Sequence, residues 1–465
     1  MAKYEKYTEY QDSGVEWLGE IPSHWQASYV GVLSDVIDPQ PDHRAPAISE
    51  DGEGFPYIGI RDVNKDGTLN FETARPVEES AVLKQERSFT IEPHNIIFCK
   101  VGTLGLPRKI IPHGRCALSA TLVLIKARKI NSQFLLYALD SDCIISQTNF
   151  LATGSTRAAL GIQQIRKFRI PFPPLLDQLA IANFLDHETA QIDTLIAKQE
   201  KLIELLKEKR QAVISHAVTK GLNSDVTMKD SGVEWLGQVP EHWKCIKIKH
   251  ITTTFEQGWS PQCDSRPAES HEYGVLKVGC VNGGSFRSSE NKALPPELEP
   301  RLQYLIQKDD LLISRANTKE LVGSASVVNG DYPNLILCDK LYRLRFSKNV
   351  LPEMVSLYLS IGAVRKQIEL GATGASHSMQ NIGQDTIKEL YYLLPPYEEA
   401  LNILESIKQS NQKFDELTKK AESAIQLMQE RRTALISSAV TGKIDVRNWQ
   451  NPNHNNNEAN TELGA

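Results

Sequence analysis

No stretch of this chain approaches the 18 or so consecutive apolar residues that a membrane-crossing helix needs, and the N-terminal MAKYEKYTEY has no apolar signal core. A cytoplasmic protein without membrane contact is the expectation. Cysteine is scarce. The seven (Cys99, Cys116, Cys143, Cys245, Cys263, Cys280 and Cys338) are scattered and form no CxxC pair, which excludes a zinc cluster and a disulfide framework. Catalytic motifs are missing too. There is no GxxxxGK[ST] phosphate loop (Gly442-Lys443 is followed by Ile444), no HExxH, no GxSxG and no kinase set. No glycine-rich methyl-donor loop or carboxylate–lysine nuclease constellation stands out. In Leu394-Pro395-Pro396-Tyr397 and Phe172-Pro173-Pro174-Leu175 the polar residue that would hold a target amine is absent, so these prolines read as helix entries. An excess of positive charge is also missing. The formal net charge of −5 argues against a protein that is basic throughout and leaves only local patches for nucleic acid. The remaining composition, 41% hydrophobic and 23% charged over 465 residues, is that of a globular chain of two to four domains.

What is present is long-range repetition. Asp177 to Val218 contains neither Gly nor Pro and reads as one polar helix. Steps of four and three give the seam Ile181, Leu185, Glu188, Ile192, Leu195, Gln199, Leu202, Leu206, Lys209, Val213, His216, the 3.5 period of a coiled coil. Such a helix, roughly 60 Å long at about 1.5 Å per residue, cannot bury one narrow seam alone. Its partner lies 222 residues downstream: Ile403, Ile407, Ser410, Phe414, Leu417, Ala421, Ala424, Met428, Arg431, Leu435, Ser438. Both helices follow a double proline and end in similar words, EKRQAVISHAVTKG and ERRTALISSAVTGK.

A second word repeats 218 residues apart, DSGVEWLGEIPSHW (12–25) and DSGVEWLGQVPEHW (230–243). Asp12-Ser13-Gly14 makes a turn, Trp17 and Leu18 offer an apolar anchor, and Pro22 begins an extended entry ending at Trp25. His24 and His242 have no nucleophile nearby, so the word reads as a structural clip. Between clip and helix lies a globular unit of short β runs (FPYIGIRDVN, NIIFCKVG, ALSATLVLIKA), a helix over Gln133–Ser146, the loop ATGSTRAALG and a last strand, FRIPF. The second unit repeats that order with GVLKVGCVN, DLLISRANTKELVG, LCDKLYRLRF, MVSLYLSIGAVRKQI and GATGASHSMQNIG.

The expected organisation is a clip at 1–25, a globular unit at 26–172, a long helix and linker at 173–229, a second clip at 230–243, a second unit at 244–394, a second helix at 395–447 and a disordered Asn-rich tail at 448–465. The fold class is α+β: two similar mixed α/β domains separated by an antiparallel two-helix coiled coil, with a pseudo-twofold internal repeat that brings the N-terminal clip to the C-terminal end.

Both units carry polar and basic side chains at strand ends and loops, suited to phosphate positioning and base-edge readout. The candidates in the first are Arg61, Asn64, Lys65, Lys100, Arg108, Lys109, Ser155, Thr156 and Arg157. In the second they are Lys277, Asn282, Arg315, Asn317, Lys319, Ser376 and His377. The two TG-containing loops either bind a ligand or anchor each unit to its helix.

These features together resemble the specificity subunit of a Type I restriction–modification system, the HsdS family. The likeness rests on the DSGVEWLGxxPxHW clips, the TG loops, the double-proline entries and the KRQAVISHAVTKG-type helix ends, and covers residues 1 to 447. The resemblance implies two target-recognition domains, each reading one half of an asymmetric bipartite site in double-stranded DNA, with the coiled coil as spacer. It implies two modification subunits and further restriction subunits as partners, with S-adenosylmethionine, ATP and Mg held there and neither cofactor nor metal on this chain. Catalysis is then expected elsewhere in the complex. A coiled-coil adaptor that touches no DNA, and a single-chain methyltransferase or nuclease with unrecognised motifs, are the alternatives.

Overall fold

The apolar runs Ile96–Cys99 and Leu122–Ala127 become strands buried on both faces, because successive side chains of a strand point to opposite sides of a sheet. Ile96, Phe98, Val123 and Ile125 enter one core, while Ile97, Cys99, Leu122 and Leu124 enter another. A computed structural model describes residues 4–42, 44–49, 53–153, 158–376 and 379–452, without the side chains of 375 and 376. Its chain divides into two compact units, residues 1–200 with 422–465, and residues 201–421.

In the first unit β1 (Ser34–Ile37), β2 (Ile96–Cys99), β3 (Gly105–Lys109) and β4 (Leu122–Ala127) form an antiparallel sheet of order β1-β4-β2-β3. In the second, β5 (Thr252–Gln257), β6 (Leu311–Ser314), β7 (Ala325–Val327) and β8 (Leu341–Phe346) repeat it as β5-β8-β6-β7. A three-stranded sheet also recurs. Phe55–Ile58 lies antiparallel to Arg75–Val77 and parallel to Ala117–Leu118, as Gly274–Leu276 lies between Asn291–Ala293 and Leu335–Ile336. The repeat thus runs through the interior, where sequence identity is weakest. One replacement inside it is drastic. Where β4 has the buried Leu124, β8 has Arg343, 2% exposed, which bonds Glu256 and the carbonyls of Gln303 and Leu305 and lies 3.7 Å from buried Asp310.

The single helices expected over Gln133–Ser146 and in MVSLYLSIGAVRKQI are each two. Ser132–Leu139 breaks before Asp142–Leu151, and Pro352–Ser360 before Gly362–Leu370. Each break docks on a long helix. Asp140 pairs with Arg432 at 3.1 Å and the Asp142 N–H donates to Ser437 Oγ, while Gln211 Nε2 donates to the Ser360 carbonyl.

The long helices are Leu175–Lys220 and Tyr397–Val440. In the first unit Asp193 pairs with Arg432, and Asp177 and Gly442 meet across Trp25. In the second Arg210 pairs with Asp415, and Gly221 meets Glu399. Within each unit the two helices therefore run antiparallel, as expected.

Three of the thirteen large apolar positions of the expected seam need correction. Ile181, Leu185, Ile192, Ile403, Ile407 and Leu435 are buried, and Leu206, Val213, Phe414 and Met428 are half-buried. Leu195, Leu202 and Leu417, however, are 48%, 41% and 46% exposed. The inward positions are one residue on, at Ile196, Ile203 and Thr418, with Ile214 and Ala217 buried near the end of the first helix. Leucine and isoleucine are adjacent at 195–196 and at 202–203, so two rows at helical spacing compete. The row beside 192 that faces the partner helix wins.

The clips explain how the helix ends are held. In each, an aspartate side chain accepts the glycine N–H two residues on (Asp12 to Gly14, Asp230 to Gly232), and both glycines have positive φ, so the turn needs them. Trp25 is fully buried and its Nε1 donates to Asp177 Oδ2 at 2.9 Å, an atom that His24 Nε2 also reaches at 2.9 Å. Trp243 and His242 treat Glu399 Oε2 identically, at 3.1 and 2.7 Å. The expectation that both histidines are structural holds. The helix C-termini close on the same tryptophans through Gly442 (φ +74°) and Gly221 (φ +77°); a Cβ at Gly442 would collide with Pro22 and Trp25.

The chain termini meet in the first unit. Tyr10 Oη donates to the Gly442 carbonyl, and the Asp445 N–H to the Glu5 carbonyl, both at 2.9 Å. The tail corrects another expectation at its start: Trp449 packs edge-on against Phe184, with ring centroids 5.6 Å apart, because one large apolar ring outweighs the polar residues around it. Residues 453–465 lie outside the described residues.

Two stability outcomes follow. Ile196→Asp should cost about 3 kcal/mol or more, through a lost core side chain and a buried charge, whereas its neighbour Leu195→Asp should stay within about 0.5 kcal/mol. Urea denaturation followed by circular dichroism measures both, and equal losses would contradict the revised seam. Asp177→Ala strands the buried Trp25 N–H and should cost about 2 kcal/mol. Glu399→Ala removes a carboxylate more open to solvent than Asp177 and should cost less in the same titration.

Candidate nucleic-acid interface

The polar candidates fall into two groups once placed. In the first unit a 3-10 turn, Ile60–Asp62, carries Arg61, Asn64 and Lys65, all exposed. The turn is stiff: Asp62 Oδ2 accepts the Gly59 N–H, and Asn64 Nδ2 donates to Thr68 Oγ1, both at 2.9 Å. Arg108 holds it from β3, its Nη1 donating to the carbonyls of Ile60, at 3.2 Å, and Val63. Arg108 thus positions the turn through its Nη1.

Lys100 is a plainer case. It is 2% exposed and its Nζ lies 2.6 Å from Asp38 Oδ2, so a phosphate could reach it only by breaking a buried pair. Lys109 donates to Gln133 Oε1 at 2.6 Å, and Gln133 in turn donates to Asp186 of the long helix. Both lysines tie the unit together, and burial corrects Lys100 from a contact residue to an internal tie. Ser155, Thr156 and Arg157 lie outside the described residues. The flanks of their loop are pinned to the end of β2: the Gly102 N–H donates to the Ala158 carbonyl at 2.9 Å and the Leu160 N–H to the Lys100 carbonyl at 2.8 Å.

The second unit gathers its candidates more tightly. Strand Ala316–Asn317 pairs with Met379–Asn381, which pairs with Thr373–Ser376, so the second TG loop is a hairpin on the end of β6. Asn317 Nδ2 donates to Asn282 Oδ1 at 3.1 Å and its own Oδ1 accepts the Thr318 N–H. Arg315, half-buried, reaches the Tyr342 hydroxyl. Lys319 is exposed, and Lys277 lies 3.2 Å from Glu290. Ser376 ends its strand, and His377 lies outside the described residues. In both units the TG loop is thus anchored to a strand end beside the polar turn.

Sequence reasoning missed two lysines. Lys292 and Lys340 join Lys277 around a cleft of about 460 Å³, with Ser260 and Asp339 on its wall. Lys340 sits within the LCDKLYRLRF run already aligned between the units, and that run was the available signal. The corresponding place in the first unit has Gly59, Arg75 and Thr121, so one of the three positive charges is kept and two are not. Thiol chemistry has no support, since burial pushes Cys116 and Cys143 up to about 11 and Cys338 to about 12, leaving neutral thiols at pH 7. Among the described residues no group of three or more His, Cys, Asp or Glu side chains could hold a metal ion, and no helix is long and apolar enough to cross a membrane.

Two copies of one α+β domain, each presenting a polar strand-end surface and each fastened to paired antiparallel helices, define a duplicated recognition scaffold. Residues 33–205 match the family model described as the Type I restriction modification DNA specificity domain. The chain is 30% identical over 205 residues to the Type I restriction enzyme EcoEI specificity subunit of Escherichia coli, covering 44% of this chain and 34%, about a third, of that one. It is 26% identical over 344 residues to the EcoKI specificity subunit of E. coli K12, covering 73% and 71%. A solved chain from work on complex assembly and conformational transition of the type I R-M system superposes with a TM-score of 0.63 at 15% identity, covering 90% of this chain and 98% of that one, which is a likeness of fold. The chain is thus similar to Type I restriction enzyme specificity subunits, and residues 33–205 carry the match to their DNA specificity domain.

The sorting of charges can be measured. Lys65→Gln or Lys319→Gln should leave stability unchanged and lower the slope of log affinity against log salt by about 1 for nucleic acid. Lys100→Met should instead destabilise the fold by about 3 kcal/mol by stranding Asp38. A normal melting curve for Lys100→Met would reverse that assignment.

Proposed function

We propose that this chain is the DNA specificity subunit of a Type I restriction–modification complex. Each unit reads one half of a bipartite double-stranded site and brings modification and restriction subunits to it. The observation that carries the reading is the duplication itself. One topology is built twice, with conserved clips and helix ends, and different side chains stand at matching strand ends. Gly59 and Thr121 stand where the second unit has Lys277 and Lys340, so the two half-sites differ and the target is asymmetric.

B-DNA presents the same face about every 10 base pairs, roughly 34–36 Å, so a fixed helical spacer between two readers selects a fixed gap between half-sites. Two modification subunits dock on the clips and helices and carry S-adenosylmethionine and the adenine chemistry, while restriction subunits carry ATP and Mg. The match to relatives named for specificity, and the absence of catalytic motifs in the sequence, support assigning chemistry to those partners. The exposed leucines 195, 202 and 417 give the helices an outer apolar face suited to such docking.

The test is reconstitution with the modification subunits of the same host, followed by sequencing of methylated adenines. A bipartite motif should appear only in the complex, and exchanging residues 26–172 for those of another specificity subunit should change one half of it. One heptad inserted into both long helices should lengthen the gap alone. Methylation by this chain by itself, or methylation without a sequence pattern, would refute the reading.

A further inference from the structure

Among the described residues three non-glycines have left-handed backbone: His94 (φ 72°), Asp309 (φ 69°) and Leu106 (φ 48°). The first two are the same turn in the two units. Each precedes the residue that leads into a central strand, Asn95 before β2 and Asp310 before β6, and that residue's side chain closes the turn by accepting the N–H of Glu92 or Gln307 at 2.9 Å. Tight turns of this kind account for their backbone.

Leu106 has no such account. A bulky residue in this region is an outlier, and this one follows Gly105 (φ 87°) and precedes Pro107, which further restricts it. It sits in a bulge of β3, where the register against β2 shifts between Ile97 and Cys99. A bulge recurs at the same place in the second unit, where Gly323 (φ 76°) and Ser324 stand opposite Ser314, but only the bulge of the first unit sets a leucine in left-handed backbone. Its effect is to turn Leu106 outward, 42% exposed. Two residues on, Arg108 grips the turn of Arg61, Asn64 and Lys65; four residues back, Gly102 pins the first TG loop. A strained, exposed apolar side chain thus lies, along the chain, between the residues that hold the two polar elements of the candidate interface. Bulges commonly re-aim side chains at functional sites, and strain of this kind persists where surrounding structure enforces it.

We infer that Leu106 is a wedge that inserts against the base stack of the half-site read by the first unit, opening one base step as it binds. Leucine is one of the side chains that DNA-bending proteins use this way. The inference rests on the DNA-reading role proposed above and adds a mechanical element to it: part of the first half-site is selected by how easily a step unstacks.

The assembled complex tests it on duplexes of its mapped target, with 2-aminopurine placed in turn at each position of both half-sites except the methylated adenine. Wild type should raise fluorescence at one step of the first unit's half-site. Leu106→Gly and Leu106→Asn, both at home at positive φ, should melt at the same or a higher temperature, lose that signal and bind about tenfold more weakly. Leu106→Met, which keeps an apolar tip, should retain signal and affinity. Unchanged binding by Leu106→Gly, or weaker binding with no fluorescent step in wild type, would overturn the wedge while leaving the DNA reading intact. A wild-type complex that protects no sequence at all would sink the reading itself, and the wedge with it.

Discussion

The structure depends on one repeated contact, a buried tryptophan N–H and an adjacent histidine converging on a single carboxylate oxygen in the first turn of a long helix. Trp25 and His24 grip Asp177, and Trp243 and His242 grip Glu399. The carboxylate also stands where a helix N-terminus favours negative charge. Because the same indoles pack on Gly442 and Gly221, each clip fastens the start of one long helix to the end of the other. A two-helix seam with polar gaps would be weak alone. Locked at its ends, it can carry domains whose interiors have diverged.

That divergence is constrained by the sheets. Central strands buried on both faces accept new side chains only if each face keeps its packing. The exchange of Leu124 for Arg343 shows how far this can go when compensation is complete, since the guanidinium finds Glu256 and two backbone carbonyls. Rim positions carry no such constraint, and there Gly59 and Thr121 stand where the second unit has Lys277 and Lys340.

Much of this was legible in the sequence. The repeated words gave the clips, the long helices and their antiparallel pairing, because composition and period are local. Choosing between Leu195 and Ile196 was not local, since either row is apolar and only the partner helix selects one. The sequence also could not separate Lys100 from Lys65: the partner that removes Lys100 from the surface, Asp38, is 62 residues away. Asp177 likewise lies 152 residues from Trp25, so the clip histidines could be read as structural before their partner was visible. The helix breaks at Asp140 and Ser360 escaped for a similar reason, being set by docking on the long helices.

The two units also differ in how the ribosome delivers them. Residues 201–421 are contiguous, so the second unit has all its parts once that segment has emerged. The first is discontinuous, with the second inserted in its middle, and is completed only when residues 422–449 return to the waiting N-terminal clip. Its closure carries the largest loop entropy in the chain and must come last. A chain lacking residues 422–449 would therefore lose the earliest-made unit and keep the later one.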